Sequence, residues 1–336
     1  MRILWQSKSP LILDSFRRGV IDPAANGGNA YDLQAVFSLA NHYPIEVDKS
    51  AVKQKSENIV RYAIKMQMHR AVADILIMEP FPIVFGNRVK RMKTIGMIHH
   101  IDPKIRRSGY FHNLYFNRLL KRLRELDKVV TVSVFWQKFL EAEGCENVEI
   151  IYNSFDLNAF QNLKKDNDAF RLEHQLPLDK KIIYIGNAIK EKGVYDVYEE
   201  LKNSGFHLVM TGAQNRAMDL PVHYLRLNRN QYLQLLATSS VVIAMSKMVE
   251  GWNRIAHEAL LSKTPVIGSG SGGMTELLEK AGQVKVTDLA QLHASVDQVL
   301  NDEKQYARRG YEYVKQFDLN YFSNRWKEVV ETVRSK

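Results

Sequence analysis

Residues 246–278, SKMVEGWNRIAHEALLSKTPVIGSGSGGMTELL, decide the fold. A short apolar run, Val241 to Met245, leads into them and reads as a buried parallel strand. Glu250 and Gly251 follow in a loop. Ile255, Ala259 and Leu260 then recur at helical spacing, so a helix is predicted to begin near Asn253, a residue type suited to the N-cap. Thr264 to Ile267 is the next strand. A turn carrying Gly268, Gly270, Gly272 and Gly273 follows it, and Met274 to Lys280 is the next helix. Strand, loop and helix repeated in this order predict an α/β fold on a parallel sheet. Ligands of such sheets bind at the carboxyl ends of the strands, where both loops lie.

The residue types in these loops suit a ligand rich in hydroxyls and phosphate. Glu250 sits in the loop and Glu258 within the following helix, eight residues on. Carboxylates accept hydrogen bonds from sugar and ribose hydroxyls but do not hold phosphate. Backbone N–H groups at the helix starts, near Trp252 and Met274, suit a diphosphate. The spacing of the two carboxylates alone fits a solvated helix residue and a loop charge equally well.

The combined pattern closely resembles the donor site of the retaining GT-B glycosyltransferases of family four. Their signature is a serine, a short gap, Glu-Gly-aromatic-Gly, then Glu-Ala, Thr-Pro-Val and Gly-Gly-x-x-Glu. The corresponding residues are Ser246, Glu250-Gly251-Trp252, Glu258-Ala259, Thr264-Pro265-Val266 and Gly272-Gly273-Met274-Thr275-Glu276. Asn253 stands where the family has its second glycine. Gly268 to Gly273 also fits the dinucleotide fingerprint G-x-G-x-x-G, with Asp288 about twenty residues on. That fingerprint opens a mononucleotide-binding half with further strands after it. Only 48 residues follow Asp288 in the chain of 336, and they read as helices, which argues against a dehydrogenase.

The length suits two domains with ample core, and 45% hydrophobic residues exclude a disordered chain. The single cysteine, Cys145, excludes an internal disulfide and a cysteine-based zinc site. There is no apolar run near eighteen residues and no signal-like apolar core at the N-terminus, so a cytoplasmic protein is expected. Lys and Arg outnumber Asp and Glu by 47 to 37. Residues 104–128 hold eight basic and two acidic side chains, a stripe that attracts anionic surfaces. Within it, Phe116, Leu119, Leu120, Leu123 and Leu126 form an apolar stripe, read first as the core side of a helix over 110–126. Tyr110, Phe111 and Tyr115 are candidate interfacial aromatics for an anionic membrane.

Towards the N-terminus, Arg2 to Gln6 is a short strand. A long loop follows, containing Gly27-Gly28, and then a helix over 30–41. A glycine pair before a helix start lets backbone amides approach a phosphate, although it is also an ordinary turn signal. Further strands are read at 43–47, 75–78, 94–98, 128–133 and 148–151, and the strand at 94–98 ends at His99-His100. Adjacent side chains on a strand diverge, so the two histidines are not expected to share a metal ion. The polar run 158–181 is read as the interdomain linker. Strands at 182–185 and 207–211 and a helix at 230–237 lead back to the opening unit, and 303–334 reads as helical.

The resemblance extends over nearly the whole chain. It implies two Rossmann-like domains facing across a cleft: an acceptor domain over 1–157, joined by a returning helix over 314–336, and a donor domain over 158–313. It implies sugar transfer from a UDP- or GDP-sugar to the hydroxyl of a glycan or lipid-linked acceptor, with retention. His99 and Glu250 are the implied catalytic residues, with His100 as the one-residue alternative to His99. Gly27, Gly28, Lys192, Gly251, Trp252, Asn253, Arg254 and Glu258 are the implied donor-binding residues. No metal or other cofactor is implied, and no nucleic-acid module is visible. Peripheral attachment to the inner membrane face through 104–128 is an added expectation. Three departures from the family pattern are Asn187 for an arginine, Asn253 for a glycine and Ser154 for a glycine. Arg216, Arg254 or Lys190 stand as cations to compensate for Asn187. The rival readings are a sugar-nucleotide epimerase and a catalytically impaired binding subunit.

Overall fold

The computed structural model describes every residue except 23, 24, 26, 88–91, 166, 213–219 and 336. The chain divides into two units, Met1–Ser154 with Leu319–Lys336, and Phe155–Asp318. The first division lies a few residues before the expected 157/158. The short helix Asp168–Glu173 occupies the run read as linker, inside the second unit. The return to the first unit comes at Leu319 and not at 314, because Phe317 belongs with the aromatic cluster of the second unit.

In the first unit the order is β1 (Ile3–Gln6), α1 (Pro10–Arg18), α2 (Gly27–Ala40), β2 (Ile45–Val47), α3 (Ile59–Met68), β3 (Ile75–Met78), α4 (Pro80–Phe85) and β4 (Lys93–Ile98). Then come α5 (Tyr110–Leu123), β5 (Lys128–Thr131), α6 (Val134–Ala142) and β6 (Val148–Ile150). The second unit runs α7 (Asp168–Glu173), β7 (Ile182–Asn187), α8 (Val194–Leu201), β8 (His207–Thr211), β9 (His223–Leu225), α9 (Arg229–Thr238) and β10 (Val241–Ala244). It continues through α10 (Arg254–Leu261), β11 (Val266–Gly268), α11 (Met274–Lys280), β12 (Val284–Lys285), α12 (Leu292–Asn301) and α13 (Glu303–Val314). The last helix, α14 (Leu319–Ser335), rejoins the first unit.

Among the described residues each unit holds a six-stranded sheet, ordered β2-β1-β3-β4-β5-β6 in the first and β12-β11-β10-β7-β8-β9 in the second. Every strand pairing recorded is parallel. Strands such as Ile75–Met78 are buried on both faces, as parallel strands covered by helices must be. Each order reverses once. In the second sheet β7 and β10 are the neighbours from which the connections diverge; in the first they are β1 and β3. Side chains beyond the carboxyl ends of these pairs line the two switch points.

Several elements differ from the sequence reading. The loop read after β1 contains α1, because Pro10 occupies the first helical turn, where its missing N–H costs nothing. Helix α5 ends at Leu123, so Leu126 lies outside it. Tyr115 packs against Phe81 and Phe85, with ring centroids 5.5 and 6.0 Å away, and is not interfacial.

Helix α14 is built into the first core. Trp326 is fully buried against Trp5 at 5.7 Å, and Phe322 meets the Tyr31 ring edge-on. Trp326→Ala is therefore expected to destabilise the first unit by about 3–5 kcal/mol in urea unfolding. An unchanged midpoint would show that α14 does not contribute to that core.

Candidate functional site

The second switch point is held together by backbone constraints. β7 and β10 are in register at Ile183–Val241 and Tyr184–Val242, after which β7 runs on beside β8. The loops that leave the two strands meet again beyond the sheet. The Lys247 N–H donates to the Glu191 carbonyl at 2.9 Å. Gly193, at φ +75°, starts α8, and a Cβ there would lie 2.0 Å from the Met245 carbonyl oxygen. The loop after β11 joins the same assembly: the Gly273 N–H donates to the Glu250 carbonyl at 2.9 Å, and Glu250 and Gly272 form a parallel bridge. Gly272 is at φ +65°, and a Cβ would fall 2.3 Å from that carbonyl oxygen. These glycines permit backbone approaches that no side chain allows.

This scaffold brings Lys192 and Glu250 together. Lys192 Nζ lies 2.6 Å from Glu250 Oε1, and both side chains remain partly accessible. A carboxylate and an ammonium so placed offer an acceptor for hydroxyls and a cation for an anion side by side. Gly251 follows in the same loop. Ser246 braces it, accepting from the Met248 N–H at 3.3 Å through Oγ and from Ser269 Oγ at 2.9 Å through its carbonyl.

Asn253 caps α10, and its Oδ1 accepts from the Ala256 N–H at 2.9 Å. Its φ is +72°, a conformation that glycine adopts freely and asparagine tolerates. The residue that replaces the family glycine thus meets the same backbone demand. Ser154 carries no positive φ, so no glycine is required there. Asn187 is a different case. Its Oδ1 lies 3.0 Å from the Tyr184 hydroxyl and 2.6 Å from Thr211 Oγ1, within a neutral triangle.

Trp252 turns inward: its side chain is buried and its indole N–H donates to His257 Nδ1 at 3.0 Å. The His257 proton therefore sits on Nε2. Burial, and secondly the Arg254 charge, pull this histidine down to about 3, so the ring stays neutral. On the same helix, Glu258 is buried and accepts from Arg229 Nη2 at 2.7 Å. Arg254 lies over the Phe155 ring at 4.4 Å. Lys190 is exposed, and Arg216 lies outside the described residues. Sequence reasoning missed Arg229. It stands at the start of α9, far from Glu258 along the chain, and no local pattern marks it.

In the first unit, Gly27 and Gly28 open α2, and His99 follows β4. A Cβ on Gly28 would lie 2.8 Å from His99 Cδ2, so the glycine admits the ring. His99 Nε2 is 2.9 Å from Asp32 Oδ1, whereas His100 is exposed beside Trp136. Among the described residues no cluster of three or more His, Cys, Asp or Glu is placed to hold a metal ion.

Residues 166–316 match the family described as Glycosyl transferases group 1. No curated protein matches the chain. Sucrose-phosphate synthase from Thermosynechococcus elongatus superposes with a TM-score of 0.77 at 15% identity, over 100% of this chain and 99% of that one. HepE from Anabaena, in complex with UDP-glucose, gives 0.70 at 16% identity over 99% and 100%. A glycosyltransferase from Rickettsia africae gives 0.65 at 16% identity over 99% and 98%. The chain has the GT-B fold, and its residues 166–316 match the glycosyl transferases group 1 family.

Proposed function

We propose that this protein is a retaining glycosyltransferase that moves a sugar from a UDP- or GDP-sugar to the hydroxyl of a glycan or lipid-linked acceptor. The observation that carries the reading is the Lys192–Glu250 contact at the switch point of the second sheet, with Glu258 buried on the helix that follows. HepE, which shares the fold, was solved with UDP-glucose, and that supports a nucleotide-sugar donor.

In this reading Lys192 and the amides at the starts of α8 and α11 take the diphosphate. Glu250 then holds a sugar hydroxyl. Glu258 accepts from the ribose through the carboxylate oxygen that Arg229 leaves available. Gly27 and Gly28 present amides to the diphosphate, and His99 orients the sugar. The bond between the anomeric carbon and the phosphate oxygen breaks while the acceptor oxygen bonds the same face. The acceptor proton passes to the leaving phosphate, so no protein nucleophile is required. Asn187 supplies no charge, which leaves Lys192 as the cation assigned to the diphosphate.

A donor panel read by mass spectrometry tests this and separates transfer from epimerisation, which would yield product without an acceptor. Glu250→Ala should lower transfer by about 100-fold or more, with a much smaller change in the unfolding midpoint. Normal turnover by that variant would remove Glu250 from the sugar contact.

The proposal extends to an anionic membrane. Tyr110, Phe111 and Leu114 are 78%, 81% and 55% exposed at the start of α5, beside Lys104, Arg106 and Arg107. Apolar side chains flanked by cations suit the headgroup boundary of an anionic bilayer. No described helix is long and apolar enough to cross a membrane. In liposome flotation the protein should rise with anionic vesicles at low salt, and Phe111→Ser should weaken this. Absence of binding at low salt would end the idea.

A further inference from the structure

The switch point of the first sheet holds a buried polar cluster that the sequence motifs do not account for. Glu79 follows β3, and its backbone N–H donates to the Gln6 carbonyl, at the end of β1, at 3.1 Å. Its side chain is 9% exposed and receives the Trp5 indole N–H at 3.4 Å. Ser7 and Asp32 lie beside this carboxyl, near enough to act on its charge. Asp32 comes from the second turn of α2, is 3% exposed, and reaches His99 Nε2 at 2.9 Å. The His99 ring is also held edge-on by Tyr31, with centroids 4.9 Å apart, and lies against Gly28.

Two carboxyls in contact and out of water do not both ionise. Burial, with the Asp32 charge second, holds Glu79 well above the usual carboxylate range, so Glu79 keeps its proton. Asp32 Oδ1 faces His99 Nε2, so the carboxylate is placed to accept from an Nε2–H.

We propose that Asp32 is a positioning residue for His99, with the buried Glu79 carboxyl packed behind it. The pair fixes the plane and tautomer of the ring, as a carboxylate behind an imidazole does elsewhere. The consequence for turnover rests on the sugar-transfer reading, in which His99 meets the donor; the placement itself does not.

The two carboxyls make opposite predictions for their amides. Glu79→Gln preserves a neutral donor beside Asp32. In Asp32→Asn the amide oxygen turns to the Glu79 donor, so the amide N–H faces His99 and drives its proton from Nε2 to Nδ1. Imidazole 15N NMR on the full chain, with His99 assigned through His99→Gln, reads this directly. Wild type and Glu79→Gln should show Nε2–H, and Asp32→Asn should show Nδ1–H. Release of UDP from UDP-glucose supplies the second arm. Asp32→Asn should lower kcat by about 100-fold with KM held within about 3-fold. Glu79→Gln should stay within about 3-fold of wild type on both constants.

The proposal is overturned if His99 carries its proton on Nδ1 in the wild type, or if Glu79→Gln disturbs the ring as much as Asp32→Asn. Should Asp32→Asn not fold, the wild-type and Glu79→Gln spectra still decide. Expected spectra from a protein that turns over no nucleotide sugar would support the placement and refute the transferase reading.

Discussion

In the proposed reading, the donor site of the second unit is organised around one contact, the 2.6 Å approach of Lys192 to Glu250. It joins the loop after β7 to the loop after β10, where the sheet order reverses and the strands stop pairing. The contact exists because glycines at 193 and 272 let backbone pass close to the carbonyls of Met245 and Glu250. A partly buried cation and anion hold each other's charge. An anionic tail that takes Lys192 leaves Glu250 to accept from hydroxyls. Under the proposed function the ion pair is a resting arrangement of two groups that suit the two ends of a nucleotide sugar.

The departures from the family signature separate on physical grounds. Asn253 satisfies a left-handed backbone that glycine would also satisfy, and its side chain contributes a helix cap. Ser154 has no backbone demand to meet. Asn187 changes chemistry, because it exchanges a charge for a neutral amide tied to Tyr184 and Thr211. Trp252 acts through packing, holding His257 of α10 in one tautomer.

Much of this was legible in the sequence, for identifiable reasons. Strands such as Ile75–Met78 are short continuous apolar runs, which parallel sheets covered on both faces require. Helix α3 was illegible because its apolar residues Val60, Ile64 and Met68 are exposed, so the period does not report the core side. Strands β9 and β12 have three and two residues, too few to show alternation. Glu250, Glu258 and Lys192 were legible through local patterns. Arg229, Asp32 and Glu79 were not, because each gains its partner only when segments distant in the chain converge beyond the strand ends. Glu79 did carry one signal, a carboxylate directly after a buried strand.

A crystal structure with UDP-glucose and related nucleotide sugars tests the central claim most directly. The account predicts density for a sugar hydroxyl within hydrogen-bond distance of Glu250, the diphosphate against Lys192 and the start of α8, and the ribose against Glu258. A nucleotide sugar bound elsewhere, with the Lys192–Glu250 contact undisturbed, would contradict it.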